Sequence, residues 1–504
     1  MSRPREACGI YGVYDFSGGS VFPYIYWGLL SQNHRGQQSY GFTSFDGDFH
    51  TYKMLGLVPR MKLRKLKKRM ALLPGNIGIG NVRYSTSGRI DHESLMRDTQ
   101  PVLCEHQDTK VALSYNGNVV NAKDLRCLVT DKFGKTEMTA DTELIGERLC
   151  MELMKGGDLA EAVKTCMEEI EGAYSVVGIT DKGEFFAFRD RCGIKPLCLG
   201  YSLDSEVCAI SSETVGLDIN GLNHRVATVE PGELVIVTKG GARREQLVAP
   251  GRRALCSFEF AYFARPDSIL NDSSRYVYEV RTAFGRNLGQ IAQRQGVAKR
   301  VDMVIPVPET AEDAAYGFHV ESGVPLERAM RRHRYVTDRA FIALTRERSY
   351  ILEKKMNVLG AKVKEKKVAL VDDSIVRGDT TKSVVKKMRD EGAHEVHVYI
   401  TFPKIISPCC YGIDMATFNE LVGSKRSPEE IAKLIGADSV TYQPIEDMVS
   451  AIGLPRDDLC MGCITGKYPT PLAQSLVDAA RLSFERGEGG EGRIYEAVAR
   501  PAND

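Results

Sequence analysis

An excess of charge of one sign is absent from this 504-residue sequence, in which 67 Lys and Arg residues face 66 Asp and Glu residues. A protein whose main partner is nucleic acid or an anionic membrane usually carries a clear positive excess. The composition therefore argues against both partners. Hydrophobic residues make up 43% of the chain, as in ordinary globular proteins, and its length predicts two or more domains.

Long apolar runs are also missing. The sequence contains no run of about 18 apolar residues, the length needed to cross a bilayer. The opening MSRPREAC is too short and too polar for a secretory signal. The 13 cysteines are odd in number and scattered through a long chain, which does not favour a disulfide framework. These features predict a cytoplasmic protein with reduced thiols, some of which serve as a nucleophile or as metal ligands.

The first half of the chain contains a cysteine followed by seven short motifs. Cys8 begins an apolar, β-prone run, where a cysteine alone would usually be a core residue. The motifs that follow are HRGQQSYG (34–41), NVRYSTSG (81–88), SYNGNVVN (114–121), ADTE (140–143), GAYS (172–175), RDRCGIKPL (189–197) and SSE (211–213). In this order and at these spacings they resemble the glutaminase domain of class II amidotransferases, over roughly residues 8–235.

Hydrolysis of the glutamine amide needs a thiolate nucleophile, a nearby base and donors for the developing oxyanion. The resemblance implies an N-terminal-nucleophile fold, an αββα sandwich, in which the first residue attacks and its own α-amine is the base. An α-amine titrates near neutrality, so it can accept the thiol proton at cellular pH. Because Cys8 is not the first residue, the resemblance implies removal of a leader, residues 1–7.

The resemblance also assigns the glutamine-binding groups. It implies that Asn116 and the backbone of Gly117 form the oxyanion hole. Arg83 would hold the glutamine α-carboxylate as a two-pronged donor, with Thr86 as a further contact, and Asp141 would bind the α-amine.

The clearest motif of the second half is KKVALVDDSIVRGDTT, residues 366–381. Its branched apolar run predicts a buried parallel strand, with Asp372 and Asp373 at the carboxyl end, where open α/β sheets bind ligands. TTKSVVKKMRDEG predicts a following helix that stops near Gly392. The start of that helix would offer free N–H groups and a favourable dipole to a phosphate.

This motif matches the phosphoribosyl-pyrophosphate loop of type I phosphoribosyltransferases, which are built on a doubly wound parallel sheet. The resemblance implies that Asp372 and Asp373 contact the ribose hydroxyls. MVIPVPET (303–310) stands where that family has its pyrophosphate loop, with Glu309 in place of the usual Asp, and these three carboxylates are expected near Mg²⁺. The substrate-binding loop implied by the resemblance comprises Ser374, Arg377, Gly378, Asp379, Thr380 and Thr381, with residues 377–381 around the 5-phosphate.

Two further segments resemble parts of the glutamine phosphoribosylpyrophosphate amidotransferase family. Residues 332–357 are similar to its flexible lid, whose basic residues would complement the pyrophosphate and exclude water; an ordinary basic surface loop is the alternative. CSFEFAYFARPDS (256–268) is similar to the segment that joins the two halves. Its aromatic residues would line a path for ammonia, with Tyr262 and Arg265 as the expected functional members.

The remaining candidates are cysteines. A C-x-x-C pair such as Cys460 and Cys463 usually indicates zinc or redox chemistry. One subgroup of the same family carries a [4Fe–4S] cluster, and its four thiolates match Cys256, Cys409, Cys460 and Cys463, the number such a cluster requires. Structural zinc is the alternative, and Cys410 competes with Cys409.

Taken together, the resemblance implies a glutamine-dependent amidophosphoribosyltransferase that makes phosphoribosylamine in the first step of purine synthesis. The expected division is a leader (1–7), a glutaminase domain (8–245), an interdomain channel segment (246–272), a phosphoribosyltransferase domain (273–445) and a C-terminal segment with cluster ligands and a frayed tail (446–504). Its expected partners are glutamine, phosphoribosyl pyrophosphate, purine nucleotide inhibitors and further copies in a homotetramer. The rival hypothesis is a regulator that binds phosphoribosyl pyrophosphate without catalysis.

Overall fold

A computed structural model describes residues 8–84, 92–134, 140–270, 273–332, 356–415 and 417–487. The predicted leader, Thr86 and residues 333–355 of the predicted lid lie outside the described residues. None of the described helices is long and apolar enough to cross a membrane.

The first half of the chain forms two antiparallel sheets. The seven-stranded sheet has the order β11-β9-β10-β1-β4-β2-β3 and the six-stranded sheet the order β13-β12-β8-β7-β6-β5. The strands are β1 (Gly9–Asp15), β2 (Ser39–Phe45), β3 (Phe49–Leu55), β4 (Ile77–Arg83), β5 (Val102–His106), β6 (Thr109–Val119), β7 (Gly172–Thr180), β8 (Phe185–Arg189), β9 (Cys198–Tyr201), β10 (Val207–Ser211), β11 (His224–Thr228), β12 (Glu233–Thr238) and β13 (Gly241–Gln246).

The two sheets pack face to face through side chains such as Ile10, Ile79, Val177 and Phe185. Because helices cover both outer faces, the central strands are buried on both sides. This explains why the apolar residues of β1 (GIYGVYD) point to both faces of its sheet. The helices are α1 (Phe22–Ser31), α2 (Leu63–Leu72), α3 (His92–Arg97), α4 (Ala122–Phe133), α5 (Asp141–Leu153), α6 (Leu159–Glu169) and α7 (Thr214–Asp218). The predicted αββα sandwich is confirmed.

The second half contains a four-stranded parallel sheet, ordered β15-β18-β19-β20. One face packs against side chains such as Leu288 and Phe318, and the other against Val385 and Ile431, so the sheet is doubly wound as expected. The elements are β14 (Leu255–Cys256), α8 (Val277–Arg294), β15 (Met303–Pro306), α9 (Glu312–Ser322), β16 (Met330–Arg332), β17 (Met356–Val358), α10 (Gly360–Val363), β18 (Lys367–Asp372), α11 (Asp379–Asp390), β19 (Glu395–Ile400), α12 (Pro428–Ile435), β20 (Ser439–Tyr442), α13 (Ile445–Ile452), β21 (Leu459–Cys460), α14 (Gly462–Thr465) and α15 (Pro471–Glu485).

A large apolar cluster joins the two halves. It combines Ala173 and Ile194 of the first half with Phe258 and Phe263 of the segment between them and Phe402 of the second half. The segment 254–268 runs through this cluster, with a π-helical turn at Glu259–Phe263, and β14 pairs in parallel with β21 near the C-terminus. Burial of this extent fixes the segment against both halves.

Candidate active sites

Cys8 lies immediately before β1, next to the end of β4. Its thiol is buried and donates a hydrogen bond to the Tyr84 carbonyl at 3.4 Å. Burial raises the pKa of this thiol, while the Tyr84 contact and the positive charges of Arg83, Arg35 and Lys195 oppose the rise. The thiol therefore needs a base at hand to become the thiolate nucleophile.

Asn116 and Gly117 lie in β6 beside β7. The amide nitrogen and oxygen of the Asn116 side chain are buried and have no hydrogen-bond partner among the described residues, a rare state for buried polar atoms and one that a ligand would relieve. Only glycine fits at position 117, because a Cβ there would lie 1.8 Å from the Ala173 carbonyl oxygen. Both features suit a pocket that receives an oxyanion.

Arg83 and Asp141 lie close to this strand. Arg83, at the end of β4, is buried with Nη2 at 3.5 Å from Asp98 Oδ2. Asp141 begins α5, and its Oδ2 accepts hydrogen bonds from Val119 N at 3.0 Å and from the Tyr115 hydroxyl at 3.4 Å. The described residues predicted for the glutaminase site therefore come from four places in the chain: Cys8 precedes β1, Arg83 ends β4, Asn116 and Gly117 lie in β6, and Asp141 begins α5.

A buried ion network beside Cys8 had no role in the sequence analysis. Arg35 is fully buried; its Nε donates to the Cys8 carbonyl at 3.2 Å, and Nη1 donates to Glu213 at 2.5 Å. The same guanidinium binds both oxygens of Glu259 at 2.9 Å. Because Glu259 belongs to the π-helical turn of the interdomain segment, Arg35 ties the backbone of Cys8 to that segment.

Glu213 serves as the junction of this network. His34 Nε2 lies 2.8 Å from its Oε1, and its Oε2 accepts from Arg265 N at 2.9 Å and Ser268 Oγ at 2.7 Å. Burial alone would raise the pKa of Glu213, but His34 and Arg35 outweigh it and the pKa is lowered. The carboxylate is therefore ionised, and both of its oxygens are fully used.

Replacing Arg35 with methionine is expected to lower the free energy of unfolding by about 3–5 kcal/mol, because it leaves two buried carboxylates without their cation. Chemical denaturation of the purified protein measures the loss. Arg64→Met, on the exposed side of α2, is the matched control and should stay within about 0.5 kcal/mol. Equal effects of the two substitutions would contradict the network's structural role.

The second site lies at the carboxyl ends of β15 and β18. Asp372 ends β18 and Asp373 follows it, both buried. Asp372 Oδ1 accepts from Asp373 N at 2.9 Å, and Asp373 Oδ1 accepts from Ser374 Oγ at 2.6 Å. Thr310, in the loop after β15, donates to Asp373 Oδ2 at 2.5 Å. The two predicted loops are therefore joined at these carboxylates.

The loop after Asp373 leads into α11 as the sequence predicted. Gly378 has a φ of 84°, which favours glycine, and α11 begins at Asp379. Thr381 is buried in its first turn, while Thr380 is half-buried and Asp379 is exposed there. Arg377 turns its guanidinium toward Glu420, with Nε at 3.0 Å. The helix thus starts six residues after Asp373, and the N-terminus of a helix is a favourable place for an anion.

Glu309 is exposed in the loop after β15, so its carboxylate is open to solvent next to the Thr310–Asp373 contact. Of the two predicted channel residues, Tyr262 is half-buried and stacks on Phe258 at 5.6 Å between ring centroids. The Arg265 guanidinium instead pairs with Asp267 at 2.8 Å and is 43% exposed. Only the backbone of Arg265 belongs to the buried network.

The four predicted ligand cysteines lie in one region. Cys256 pairs with Cys460 across β14 and β21, and electrostatic interactions link Cys463 to Cys256, Cys409 and Cys460. Burial raises the pKa of Cys256 to about 12 and raises those of the other three. Cys410, by contrast, interacts with Cys409 but with none of the other three.

No group of three or more His, Cys, Asp or Glu side chains in the described part of the chain could hold a metal ion as these side chains stand. A [4Fe–4S] cluster has a different geometry, because each thiolate binds its own iron and the four sulfurs surround the cluster. The cysteines fit that group in number and in burial. Backbone N–H groups also face the sulfurs, as with Tyr411 N at 3.3 Å from Cys409 Sγ.

Comparisons with known proteins identify the family of this chain. A family profile described as a glutamine amidotransferase domain matches residues 87–218. The amidophosphoribosyltransferase of Methanothermobacter thermautotrophicus is 38% identical over 94% of this chain and 97% of its own. That of Bacillus subtilis is 35% identical over 94% and 96%, respectively.

Solved structures give the same result. The glutamine phosphoribosylpyrophosphate amidotransferase of B. subtilis, complexed with ADP and GMP, matches with a TM-score of 0.81 and 32% identity. The match covers 92% of this chain and 98% of that one. Identity at this level, over nearly the whole length of both chains, leads to one conclusion: the chain is an enzyme of the amidophosphoribosyltransferase family.

Proposed function

We propose that the protein transfers the amide nitrogen of glutamine to phosphoribosyl pyrophosphate, yielding phosphoribosylamine, glutamate and pyrophosphate at the first step of purine synthesis. The observation that carries this proposal is the continuous buried connection between the two sites. Arg35 links Cys8 to Glu259, and Phe258 of the same segment packs on Phe402 at 4.8 Å. Phe402 N in turn donates to the Asp373 carbonyl at 3.0 Å.

In the glutaminase half, residues 8–245, the Cys8 thiolate attacks the amide carbon and releases ammonia. Its α-amine is the base, so removal of the leader 1–7 is part of the proposal. Asn116 Nδ2 and Gly117 N donate to the oxyanion, and each such donor is typically worth about 10²–10³-fold in rate. Arg83 and Asp141 hold the two ends of the amino acid. Thr86, outside the described residues, is proposed as a further carboxylate contact.

In the transferase half, residues 273–445, Asp372 and Asp373 accept hydrogen bonds from the ribose hydroxyls. The start of α11, with residues 374 and 377–381, receives the 5-phosphate. Ammonia then attacks C1 of the ribose as pyrophosphate leaves. Mg²⁺ bound with the pyrophosphate, near Asp372, Asp373 and Glu309, would neutralise leaving-group charge. Residues 332–357 are proposed to close over the substrate.

The segment 246–272 would carry ammonia between the sites. Phe258, Tyr262 and Phe263 of this segment form an aromatic cluster with Phe402 of the transferase half. Apolar walls suit neutral ammonia, because protonation to ammonium is disfavoured where water is excluded. Tyr262 is the proposed wall residue, and the exposed guanidinium of Arg265 is proposed to act at the channel's edge.

We further propose that Cys256, Cys409, Cys460 and Cys463 hold a [4Fe–4S] cluster, which would fasten the interdomain segment to residues 446–504. Anaerobically purified protein should contain about four irons and four sulfides per chain, measured by metal analysis and sulfide assay. Cys460→Ser should lower both contents, whereas Cys127→Ser, at an exposed thiol, should not. Stoichiometric zinc in place of iron would overturn the assignment.

Regulation and assembly follow by analogy with relatives. The B. subtilis enzyme was solved with ADP and GMP, and we propose that purine nucleotides also inhibit this one. A homotetramer in the cytoplasm is the proposed working state.

Pyrophosphate release separates the proposed enzyme from a non-catalytic regulator. With phosphoribosyl pyrophosphate and Mg²⁺ present, we expect pyrophosphate only when glutamine or ammonia is added, because C1 needs a nitrogen nucleophile. A coupled pyrophosphate assay measures this dependence. Tight binding of phosphoribosyl pyrophosphate without release under either condition would favour the regulator.

A further inference from the structure

Lys195 is a buried cation in an unusual setting. It lies in the turn between β8 and β9 and is 1% exposed, and its Nζ has no hydrogen-bond partner among the described residues. An ammonium that is out of contact with water and carboxylates normally costs several kcal/mol. The Phe263 ring lies 5.9 Å from Nζ, at the outer limit of a cation–π contact, and such a contact is worth less than the lost hydration.

Hydrogen bonds hold the backbone around Lys195 in place, so the position of its side chain is fixed by the fold. The Lys195 carbonyl accepts from Arg189 Nε at 2.6 Å and from Ser175 Oγ at 3.1 Å. The preceding residue, Ile194, accepts from Cys256 N at 3.1 Å. Lys195 thus directly follows Ile194, the residue whose carbonyl holds the backbone of Cys256, the first of the four cysteines.

The turn that carries Lys195 packs against the four-cysteine site, because Ile194 belongs to the same buried cluster as Cys256, Cys409 and Cys463. The positive charge of Lys195 acts to lower the pKa values of Cys256, Cys409 and Cys460 against the effect of burial. It acts in the same direction on Cys8. The ammonium is therefore within electrostatic range of the four-cysteine site and of the Cys8 thiol.

We propose that Lys195 is the counter-cation of the four-cysteine site. Its ammonium does not bind iron; it stabilises the negative charge of the thiolate ligands and of the cluster that they hold. This inference rests on the cluster assignment proposed above. It explains why a lysine is buried without a carboxylate. It also makes Lys195 a positioning residue, which acts on the cluster through the charge of the cysteine ligands.

Lys195→Met removes the charge at nearly constant length, and Lys195→Arg keeps it. In anaerobically purified full-length protein, we expect the methionine variant to lose its cluster on exposure to air on the order of tenfold faster than the unmodified protein. Its midpoint potential should fall by about 59 mV or more, the one-electron equivalent of a tenfold change, because reduction adds negative charge. Visible absorption, iron content and redox titration are the readouts.

The arginine variant should stay near the unmodified protein, and so should Lys182→Met, which changes an exposed lysine. Lys195→Gln repeats the comparison if the methionine variant does not fold. An unchanged cluster lifetime and potential in the neutral variants would overturn the inference while leaving the cluster intact. Absence of iron from the unmodified protein would instead overturn the cluster assignment, and this inference with it.

Discussion

Cys8→Ala is expected to abolish glutamine-dependent formation of phosphoribosylamine, by at least about 10³-fold, while activity with added ammonia survives. The thiol lies at the end of β4, where it donates to the Tyr84 carbonyl. Alanine is small enough for the same buried space and disturbs none of the Arg35 contacts, which involve the Cys8 carbonyl. The transferase site, built on the parallel sheet, should therefore keep its geometry.

The two activities are measured side by side, with glutamine or with an ammonium salt at alkaline pH as nitrogen donor. Cys127→Ala is the matched control, because Cys127 is an exposed thiol of α4, and both activities should remain. Loss of ammonia-dependent activity along with glutamine-dependent activity in the Cys8 variant would count against two separate sites. Retention of glutamine-dependent activity would count against Cys8 as the nucleophile.

Short-range patterns were enough to predict the transferase loop. The apolar run before Asp372 became β18, and α11 begins directly after Gly378 and ends at Asp390, close to the predicted stop at Gly392. Strand, turn and helix signals here lie within about 25 consecutive residues, so local preferences and burial act together. The fold of each half was predicted in another way, from the resemblance to known families that the motifs and their order carry.

The buried network could not be predicted in this way. Arg35 meets Glu213 across 178 positions and Glu259 across 224, and no local pattern encodes such a contact. HRGQQSYG, SSE and CSFEFAYFARPDS contain these three residues, but the motifs predict no role for Arg35, Glu213 or Glu259. The sequence does contain one indication of the network, because Arg35, Glu213 and Glu259 lie within motifs that are otherwise expected to be buried. Charged residues are rarely buried unless they are paired. Lys195 in RDRCGIKPL is a second indication of the same kind.

The predicted roles of Arg265 and Arg377 show a different limit. Sequence motifs place a residue on a loop but do not fix the direction of a long side chain. The Arg265 guanidinium pairs with Asp267, and that of Arg377 with Glu420. These contacts are made without substrate, and ion pairs at partly exposed sites are weak enough to exchange when an anion binds.

Asp372→Asn is expected to raise the phosphoribosyl pyrophosphate concentration needed for half-maximal rate by about 10–100-fold, with glutaminase activity little changed. A carboxylate that accepts from a ribose hydroxyl makes a charge-assisted hydrogen bond worth about 1.5–3 kcal/mol. Asparagine has the same shape, so Asp373 N can still donate to its side-chain oxygen as it does to Asp372 Oδ1. The second side-chain atom, however, becomes a donor facing the ribose hydroxyl.

Steady-state kinetics with varied phosphoribosyl pyrophosphate at saturating ammonia isolates the transferase site, and glutamate release is followed separately. Asp390→Asn is the matched control, because Asp390 lies at the far end of α11, is exposed and pairs with Lys386 at 3.0 Å on the protein surface. An unaltered substrate requirement in the Asp372 variant would contradict the ribose contact. A parallel collapse of glutamate release would show instead that Asp372 acts on the glutaminase through the segment that joins the sites, since Thr401 N and Phe402 N bind the carbonyls of this carboxylate pair at 3.0 Å.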